Sequence, residues 1–363
     1  MKKVLIALAL FALALPVATF AQPKAEGLYV DASTLTILNK AQNDNLPLNR
    51  IDNSKYEMSA TARSYMAHST GLAVAFKTNS HTIRAYWKTG NTKCGGSNTS
   101  PILHSGLDLY ILENGKWIFA GTGAPRYNTD THEATIVTNM VEGEKQCLLY
   151  LPMFNSVTEL KIGVDSGALI EAIPSPFKHK ILVTGSSITH GASACRPGAT
   201  YVARMGRALN AETPNIGMSG MCKLDDYFAD IACDTEADAY IFDAFSNSSA
   251  ADINNRLYRF AERVTKAHPN KPIIFLQTLL RDKSHFDMAV KKRNDDQRAA
   301  AEALMVKVCE DFPNIYFVNP GLYVGNDHEG TIDGTHLNDV GVQRTLDAIL
   351  PKIKKILKKY GIN

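Results

Sequence analysis

The chain has 363 residues, of which 45% are apolar and 21% are charged, and its formal net charge is +3. This composition is that of a folded soluble protein, and the length suits two domains that each bury a core of their own. A charge so close to neutral gives no electrostatic reason to expect nucleic acid or a membrane surface as a partner.

The first residues have the pattern of a secretory signal. Met1-Lys2-Lys3 supplies positive charge, residues 4–17 form an apolar run, and Thr19-Phe20-Ala21 places small residues at a cleavage site. The apolar run is shorter than the ~20 residues that a membrane span needs. We therefore predict a signal peptide over residues 1–21 and an exported protein, periplasmic or secreted, of a Gram-negative bacterium.

Residues 22–173 carry the signals of an all-β domain. Asn114-Gly115 stands between two strand-like segments and predicts a tight hairpin. Short β-rich segments recur with almost no helical periodicity, which predicts a β-sandwich of jelly-roll type. The predicted strands include 72–76, 82–87, 107–112, 116–120 and 158–164.

Two closely spaced prolines, Pro174 and Pro176, predict a linker over residues 174–178. Over residues 179–363, strand-like runs alternate with helical ones, as in a parallel sheet covered by helices. The predicted strands are 180–184, 239–243, 272–277 and 314–318, and the predicted helices are about 199–210, 252–268, 286–312 and 338–360. Ligands of such sheets bind beyond the carboxyl ends of the strands.

The first strand of this sheet ends in Gly185-Ser186-Ser187, so it presents serines at the carboxyl edge. A serine hydroxyl is a poor nucleophile at neutral pH and needs a neighbouring base that a third group holds in place. Asp333 and His336 lie three residues apart near the other end of the chain, where the carboxylate can accept a hydrogen bond from the imidazole. Together these residues predict nucleophilic catalysis by serine.

Several blocks, in this order, resemble those of the SGNH (GDSL-type) hydrolases over roughly residues 178–360. The blocks are Gly185-x-Ser187 with Gly191, Asn215-Ile216-Gly217-Met218-Ser219-Gly220, Phe245-Ser246-Asn247 and Asp333-x-x-His336. Upstream, Gly106-Leu107-Asp108-Leu109-Tyr110 resembles the Gly-x-Asp-Leu-Tyr signature of an N-terminal β-domain that is fused to one bacterial branch of these esterases. The resemblance implies a flavodoxin-like SGNH hydrolase domain for the C-terminal part.

The resemblance also implies a role for each block. Ser187 would be the nucleophile, His336 the base and Asp333 the group that orients His336. The oxyanion hole would consist of the backbone N–H groups of Ser187 and Gly220 and the side-chain amide of Asn247.

The sequence departs from the family pattern in two places. Ser186 stands where the family name places aspartate, and the usual Gly-x-Asn-Asp block is reduced to Phe245-Ser246-Asn247-Ser248. Ser219 is a rival serine, but it lies where the family carries an oxyanion-hole loop.

Two further residues have open interpretations. His190 either lines the pocket or is a polar residue at a helix start. Arg196, in Arg196-Pro197-Gly198, resembles an element of the same bacterial branch, and it either binds a polar substrate group or belongs to a structural turn.

Six cysteines follow the signal, and in an exported protein they are free to form disulfides. Six cysteines allow fifteen complete pairings, and the sequence does not choose among them. Cys195 and Cys222 each follow one of the active-site blocks, so a disulfide between them would join two loops, with buried free thiols as the alternative. No cysteine or histidine spacing suggests zinc, and we expect neither a metal nor a cofactor.

These features predict an acetylesterase that acts on a small-molecule or polysaccharide ester through a Ser-His-Asp triad and an acyl-enzyme. A lipase or lysophospholipase would share the triad. A non-catalytic carbohydrate-binding protein is the other alternative, because the departures at 186 and 245–248 leave room for lost activity. The sequence leaves the oligomeric state open.

Overall fold

The computed structural model of the chain describes residues 27–322 and 324–363, so the predicted signal peptide over residues 1–21 lies outside the described part. We refer to residues 27–172 as the β-half and to residues 179–363 as the α/β-half. None of the helices in the described ranges is both long enough and apolar enough to cross a membrane.

The β-half consists of two antiparallel sheets. One sheet has the order β1-β9-β4-β7, and the other has the order β10-β3-β8-β5-β6, with β2 also paired to β3. The strands are β1 (Leu28–Asp31), β2 (Thr36–Leu38), β3 (Ala73–Thr78), β4 (Ile83–Thr89), β5 (Leu107–Glu113), β6 (Lys116–Gly123), β7 (Thr131–Val137), β8 (Lys145–Tyr150), β9 (Val157–Val164) and β10 (Ile170–Ala172). Two short helices, α1 (Ala60–Met66) and α2 (Pro101–Ser105), interrupt them.

The two sheets face each other across one apolar core, which confirms the predicted β-sandwich. Alternate residues of β4 point inward, including Ala85 and the fully buried Trp87, and they pack with Phe76 of the facing sheet. The predicted hairpin joins β5 and β6 through Asn114 and Gly115, whose φ angles of 50° and 74° are those of the turn that Asn-Gly favours.

The α/β-half is one parallel sheet with helices on both faces. Its elements are β11 (His179–Gly185), α3 (Ser187–His190), α4 (Tyr201–Leu209), β12 (Ala211–Glu212), β13 (Asn215–Gly217), α5 (Asp226–Cys233), β14 (Ala239–Asp243), α6 (Ala250–Ala267), β15 (Ile273–Leu276), α7 (Met288–Asp311), β16 (Ile315–Val318) and α8 (Asp339–Lys358). The sheet order is β12-β11-β14-β15-β16, and β13 also pairs with β11. This order confirms the predicted flavodoxin-like sheet.

The predicted strands and long helices of this half agree with the structure to within about two residues at each end. The prediction lacked the edge strand formed by β12 and β13. This strand is divided, because Pro214 separates its two parts and has no N–H to donate to the ladder. The prediction also lacked α5, whose eight residues are too few for a clear helical period.

The six-stranded sheet of the β-half is covered on both faces. One face belongs to the sandwich core, and the other presents Ala75, Leu148 and Tyr150, which pack with Ala203 of α4. Successive side chains of a strand point to opposite faces, so a sheet between two apolar layers needs apolar residues at nearly every position. The two halves therefore share an apolar interface.

Asp108 and Tyr110 of the Gly-x-Asp-Leu-Tyr segment lie in this interface. Asp108 is fully buried and accepts hydrogen bonds from Arg196 Nη1 at 2.9 Å and from the backbone N–H of Gly198 at 2.8 Å. The Tyr110 hydroxyl accepts from Arg196 and, at 3.3 Å, from Arg207. A side chain at Gly198 would overlap the Tyr110 ring, so only glycine permits this approach.

The position of Arg196 corrects one of its two interpretations. Its guanidinium pairs with Asp108 and lies 3.9 Å from the ring centroid of Phe119, and it does not line the cavity that contains Ser187. Arg196 therefore joins the two halves through Nη1 and lies outside the cavity where a substrate ester would meet Ser187.

Replacing Asp108 by alanine is expected to lower the free energy of unfolding by about 2 to 3 kcal/mol, measured by urea or thermal unfolding. Removing one partner of a buried pair leaves the other charge uncompensated, and Arg196, whose side chain is 23% exposed, keeps only part of its hydration. Glu144→Ala is the matched control, because it removes an exposed ion pair with Lys77 and should cost below about 1 kcal/mol. Equal losses in the two variants would contradict a stabilising role for Asp108.

Candidate active site

Ser187 lies at the carboxyl end of β11, where the chain turns into α3. Ser186 is the N-cap of this short helix, and its hydroxyl oxygen accepts from the backbone N–H of Ile188 at 3.2 Å. Ser187 is the first residue of α3, so its own backbone N–H has no acceptor within the helix. Both its hydroxyl and this N–H are thus available at the edge of the sheet.

The structure brings Ser187, His336 and Asp333 together as one hydrogen-bonded chain. Ser187 Oγ lies 2.9 Å from His336 Nε2, and His336 Nδ1 lies 2.7 Å from Asp333 Oδ2. Asp333 Oδ1 also accepts from the backbone N–H groups of Thr335 and His336, at 3.0 and 2.8 Å. These backbone bonds hold the loop so that the imidazole stands between the carboxylate and the serine.

The electrostatics of Asp333 fix the tautomer of His336. Burial alone would raise the pKa of Asp333, but hydrogen bonds from the backbone and ring of His336 and from Asn98 outweigh it and lower the pKa to about 2. The carboxylate is therefore ionised at neutral pH and accepts the proton on Nδ1. This leaves Nε2 as an acceptor for the Ser187 hydroxyl.

Asn98, a residue of the β-half that the sequence analysis did not single out, also contacts the triad of Ser187, His336 and Asp333. Its side-chain amide nitrogen lies 3.1 Å from Asp333 Oδ2 and 3.2 Å from His336 Nδ1. Its backbone carbonyl accepts from the Ser193 hydroxyl at 2.9 Å, which attaches the loop of Asn98 to the α/β-half. Asn98 stands in a Gly/Ser-rich loop, and no periodicity or spacing links such a loop to residues 235 positions away.

Gly220 and Asn247 line the same cavity as Ser187. Gly220 has a φ of 72°, in the left-handed region that glycine adopts without strain. The Asn247 amide donates one of its two N–H bonds to the carbonyl of Met221, so the loop of Gly220 and the loop of Asn247 are joined. The second N–H of the amide remains for another acceptor.

His190 does not line the cavity, which corrects one of its two interpretations. It is the last residue of α3 and fully buried, with Nε2 donating to the Met153 carbonyl at 2.8 Å and its ring stacked 4.1 Å from Phe154. Burial lowers its pKa well below the usual range, so the ring is neutral. Its Nδ1 accepts from the backbone N–H of Ser219 at 3.2 Å and thereby positions the loop of Gly220.

Asp243, at the end of β14, lies buried beneath the loop of Ser187. Its carboxyl accepts from Thr189 at 3.0 Å, from Ser246 at 3.3 Å and from Ser186 at 3.5 Å. Burial raises its pKa to about 7, and these hydroxyl donors hold the rise in check. Ser186, at the position of the family's aspartate, therefore has two roles in this fold: it caps α3 and donates a hydrogen bond to Asp243.

Of the two alternatives for Cys195 and Cys222, the structure shows free thiols and not a disulfide, and all six cysteines of the described residues are free. Cys222 is fully buried in the apolar core of the α/β-half, whereas Cys195 lies at the surface in an exposed turn. The two side chains thus belong to different environments.

Ser187 and His336 lie in a cavity of about 730 Å³ that both halves of the protein enclose. The β-half contributes Asn91, Lys93 and Asn98 from the loop over residues 91–99, and further residues such as His104 and Phe154. The sandwich therefore forms one wall of the site.

The flavodoxin-like sheet order and the Ser-His-Asp triad at the carboxyl edge of the sheet define the class of protein, which is a hydrolase of the SGNH type. Comparison with family models agrees. The GDSL-like lipase/acylhydrolase model matches residues 178–354, and a model for the N-terminus of SGNH hydrolase-type esterases matches residues 28–170.

Solved structures extend the match to most of the chain. A Bacteroides ovatus ATCC 8483 protein classed as a GDSL-like lipase is 40% identical, with a TM-score of 0.88 over 92% of this chain and 98% of that one. The salicylyl-acyltransferase SsfX3 from a tetracycline biosynthetic pathway is 19% identical, with a TM-score of 0.70 and the same coverage, 92% and 98%. A family two carbohydrate esterase from Cellvibrio japonicus is 12% identical, with a TM-score of 0.61 and again 92% and 98% coverage.

The chain belongs to the GDSL-like lipase/acylhydrolase family and is an esterase. The two more distant structures share its fold. A search of the curated proteins gives no significant match.

Proposed function

We propose that the protein is a serine esterase that removes acetyl groups from carbohydrate esters through an acyl-enzyme. The observation that carries this proposal is the hydrogen-bonded chain from Ser187 through His336 to Asp333 in an open cavity. The predicted signal peptide supports the same proposal, because an exported esterase would meet acetylated polysaccharide outside the cytoplasm.

In the proposed mechanism, His336 Nε2 takes the Ser187 proton as Oγ attacks the ester carbonyl. The negative charge that develops on the former carbonyl oxygen is met by the backbone N–H groups of Ser187 and Gly220 and by the Asn247 amide. His336 then gives the proton to the leaving alcohol, and water releases acetate from Ser187 by the same steps. Asp333 keeps the imidazole in the required tautomer throughout.

The composition of the cavity favours a small acyl group on a polar alcohol. Among the described residues that line it, the apolar side chains are Phe154, Ile188, Ala192, Leu279 and Val290. A long acyl chain needs a continuous apolar surface, whereas sugar hydroxyls need hydrogen-bonding groups such as those that dominate here. The Cellvibrio japonicus relative, a carbohydrate esterase by name, supports the same substrate class.

Chain-length preference tests this proposal against a lipase. We expect hydrolysis of 4-nitrophenyl esters to fall from acetate to octanoate, and acetylated xylan to release acetate. A rate that rises towards octanoate would support the lipase alternative. Binding of glycans without hydrolysis of any ester would support the carbohydrate-binding alternative.

A further inference from the structure

The charged residues that line the cavity are all of one sign. Among the described lining residues, Lys93, Arg281, Lys283 and Arg293 are cationic, and none is Asp or Glu. The whole chain is nearly balanced, with 39 basic and 36 acidic residues, so this is a local concentration of positive charge. A cleft lined by one sign of charge focuses the field onto a ligand of the opposite sign.

Three of these residues are fixed around the Ser187 site by hydrogen bonds. Arg281 donates to the carbonyl of Ser246 at 2.6 Å, and Arg293 donates to the carbonyl of Asn247 at 3.5 Å. The backbone N–H of Lys283 donates to the Gly334 carbonyl at 3.1 Å, within the loop of Asp333 and His336. The guanidinium groups of Arg281 and Arg293 therefore lie beside the loop of Asn247, and the backbone of Lys283 lies beside the loop of His336.

None of the four cations forms an ion pair with a carboxylate of the described residues, although the chain has many such pairs. Outside the cavity, Arg263 binds Asp226 and Asp230, and Arg344 binds Asp327. Exposed lysines on α7 are paired as well. The four cations therefore lie together in one cavity without an ion pair from the described residues.

Arg281 carries the strongest argument because it is half-buried and its partners are neutral. It donates to Gln297 and to the Ser246 carbonyl, and burial together with the charge of Arg293 lowers its pKa to about 10. The buried carboxyl of Asp243 acts in the opposite direction and raises the pKa of Arg281, but it offsets the lowering only in part. A partly desolvated guanidinium without a counter-ion gains stability when a ligand supplies one.

We propose that the cavity binds esters whose carbohydrate carries an anionic group, a carboxylate or a sulfate, which Arg281, Lys283 and Arg293 hold beside Ser187 while Lys93 faces it from the β-half. This inference rests on the proposed function and narrows its substrate class to acidic glycans. The anion lies on the part of the substrate that does not react, so it contributes to binding and orientation.

Binding is the first test, because it does not depend on turnover. Titration calorimetry would compare an oligogalacturonide, a sulfated galactan oligosaccharide and a neutral xylo-oligosaccharide of equal length. We expect at least one anionic ligand to bind about tenfold more tightly than the neutral one, as several charge contacts of this kind provide. Raising NaCl from about 0.05 to about 0.5 M should remove most of this difference, since salt screens exposed charges.

The variant Lys283→Gln/Arg293→Gln should reduce the anionic preference about five- to tenfold, because each exposed cation contributes a factor of a few. Both side chains are exposed, so their replacement does not threaten folding. Lys354→Gln/Lys355→Gln is the matched control, which removes two exposed charges from α8 and should leave the preference unchanged. The carboxylate and sulfate ligands show which anion the site prefers.

Acetate release separates this inference from the proposed function. Preferential anion binding without hydrolysis of any ester would overturn the proposed function and keep the anionic site. Hydrolysis of neutral and acidic acetylated oligosaccharides with equal kcat/KM, together with equal binding, would overturn the anionic site and keep the esterase. Loss of the preference in the α8 control would also overturn it, because the effect would then come from net charge.

Discussion

Ser187→Ala is expected to lower kcat for acetyl esters by about 10⁴- to 10⁶-fold, since the substitution removes the atom that forms the acyl-enzyme. The residual rate would come from the N–H groups around the ester carbonyl and from substrate binding. The fold should be unaffected, because the hydroxyl contributes one partly buried hydrogen bond, to His336. Hydrolysis of 4-nitrophenyl acetate and thermal unfolding, measured on the same preparations, check both statements.

Ser219→Ala is the matched control for this variant. Ser219 is the other serine that the family blocks place near the site, and its hydroxyl lies 3.2 Å from Nδ1 of the buried His190, whereas the Ser187 hydroxyl lies against His336. We expect the Ser219 variant to retain most of its activity. If the Ser187 variant were as active as the wild type, Ser187 could not be the nucleophile and Ser219 would become the candidate.

Asp333→Asn is expected to lower kcat by about 10³- to 10⁴-fold with little change in substrate binding. An asparagine amide that faces His336 Nδ1 donates a hydrogen bond, so the imidazole places its proton on Nε2 and no longer accepts one from Ser187. The wild-type carboxylate is ionised across the neutral range, because the pKa of Asp333 is about 2, so the comparison is with a fully charged acid. Steady-state kinetics with acetyl esters measure the loss.

Asp327→Asn provides the comparison, since it changes a carboxylate in the same region that pairs with Arg344 and lies outside the cavity. That variant should lose stability without losing turnover. A loss below about tenfold for Asp333→Asn would mean that Asp333 serves mainly to shape the loop through its backbone hydrogen bonds, and that another group orients His336.

Much of the fold follows from local patterns in the sequence. The alternation of β4 and the apolar runs of β14 and β15 predicted strands at the right positions. A strand buried on one face alternates apolar and polar residues, and a strand buried on both faces is apolar throughout. The Ser187, Asp333 and His336 positions could be found because they fall at strand and loop ends in a known order. The distances between them, 2.9 Å from Ser187 to His336 and 2.7 Å from His336 to Asp333, depend on the packing of the whole sheet and could not be predicted.

The rest of the site could not be predicted because it depends on contacts between the halves. Arg196 and His190 have residue types that suit a binding site, yet Arg196 pairs with Asp108 and His190 is buried against Phe154. Asn98 has no local signal at all. The common charge of the cavity was equally hidden, since Lys93 is far in sequence from Arg281 and Arg293 and only the fold brings them to one surface.

The contact between Asn98 and Asp333 has a consequence for how such proteins diverge. An amide from the β-half reaches the acid of the α/β-half, so a change in the loop over residues 91–99 alters the surroundings of the acid that orients His336. Exchanging the β-half for that of a relative would bring a foreign loop against Asp333 even if the sandwich itself docked well. The two halves are therefore expected to evolve as one inherited unit, and new substrate ranges in this lineage would arise by paired changes on both sides of the cavity.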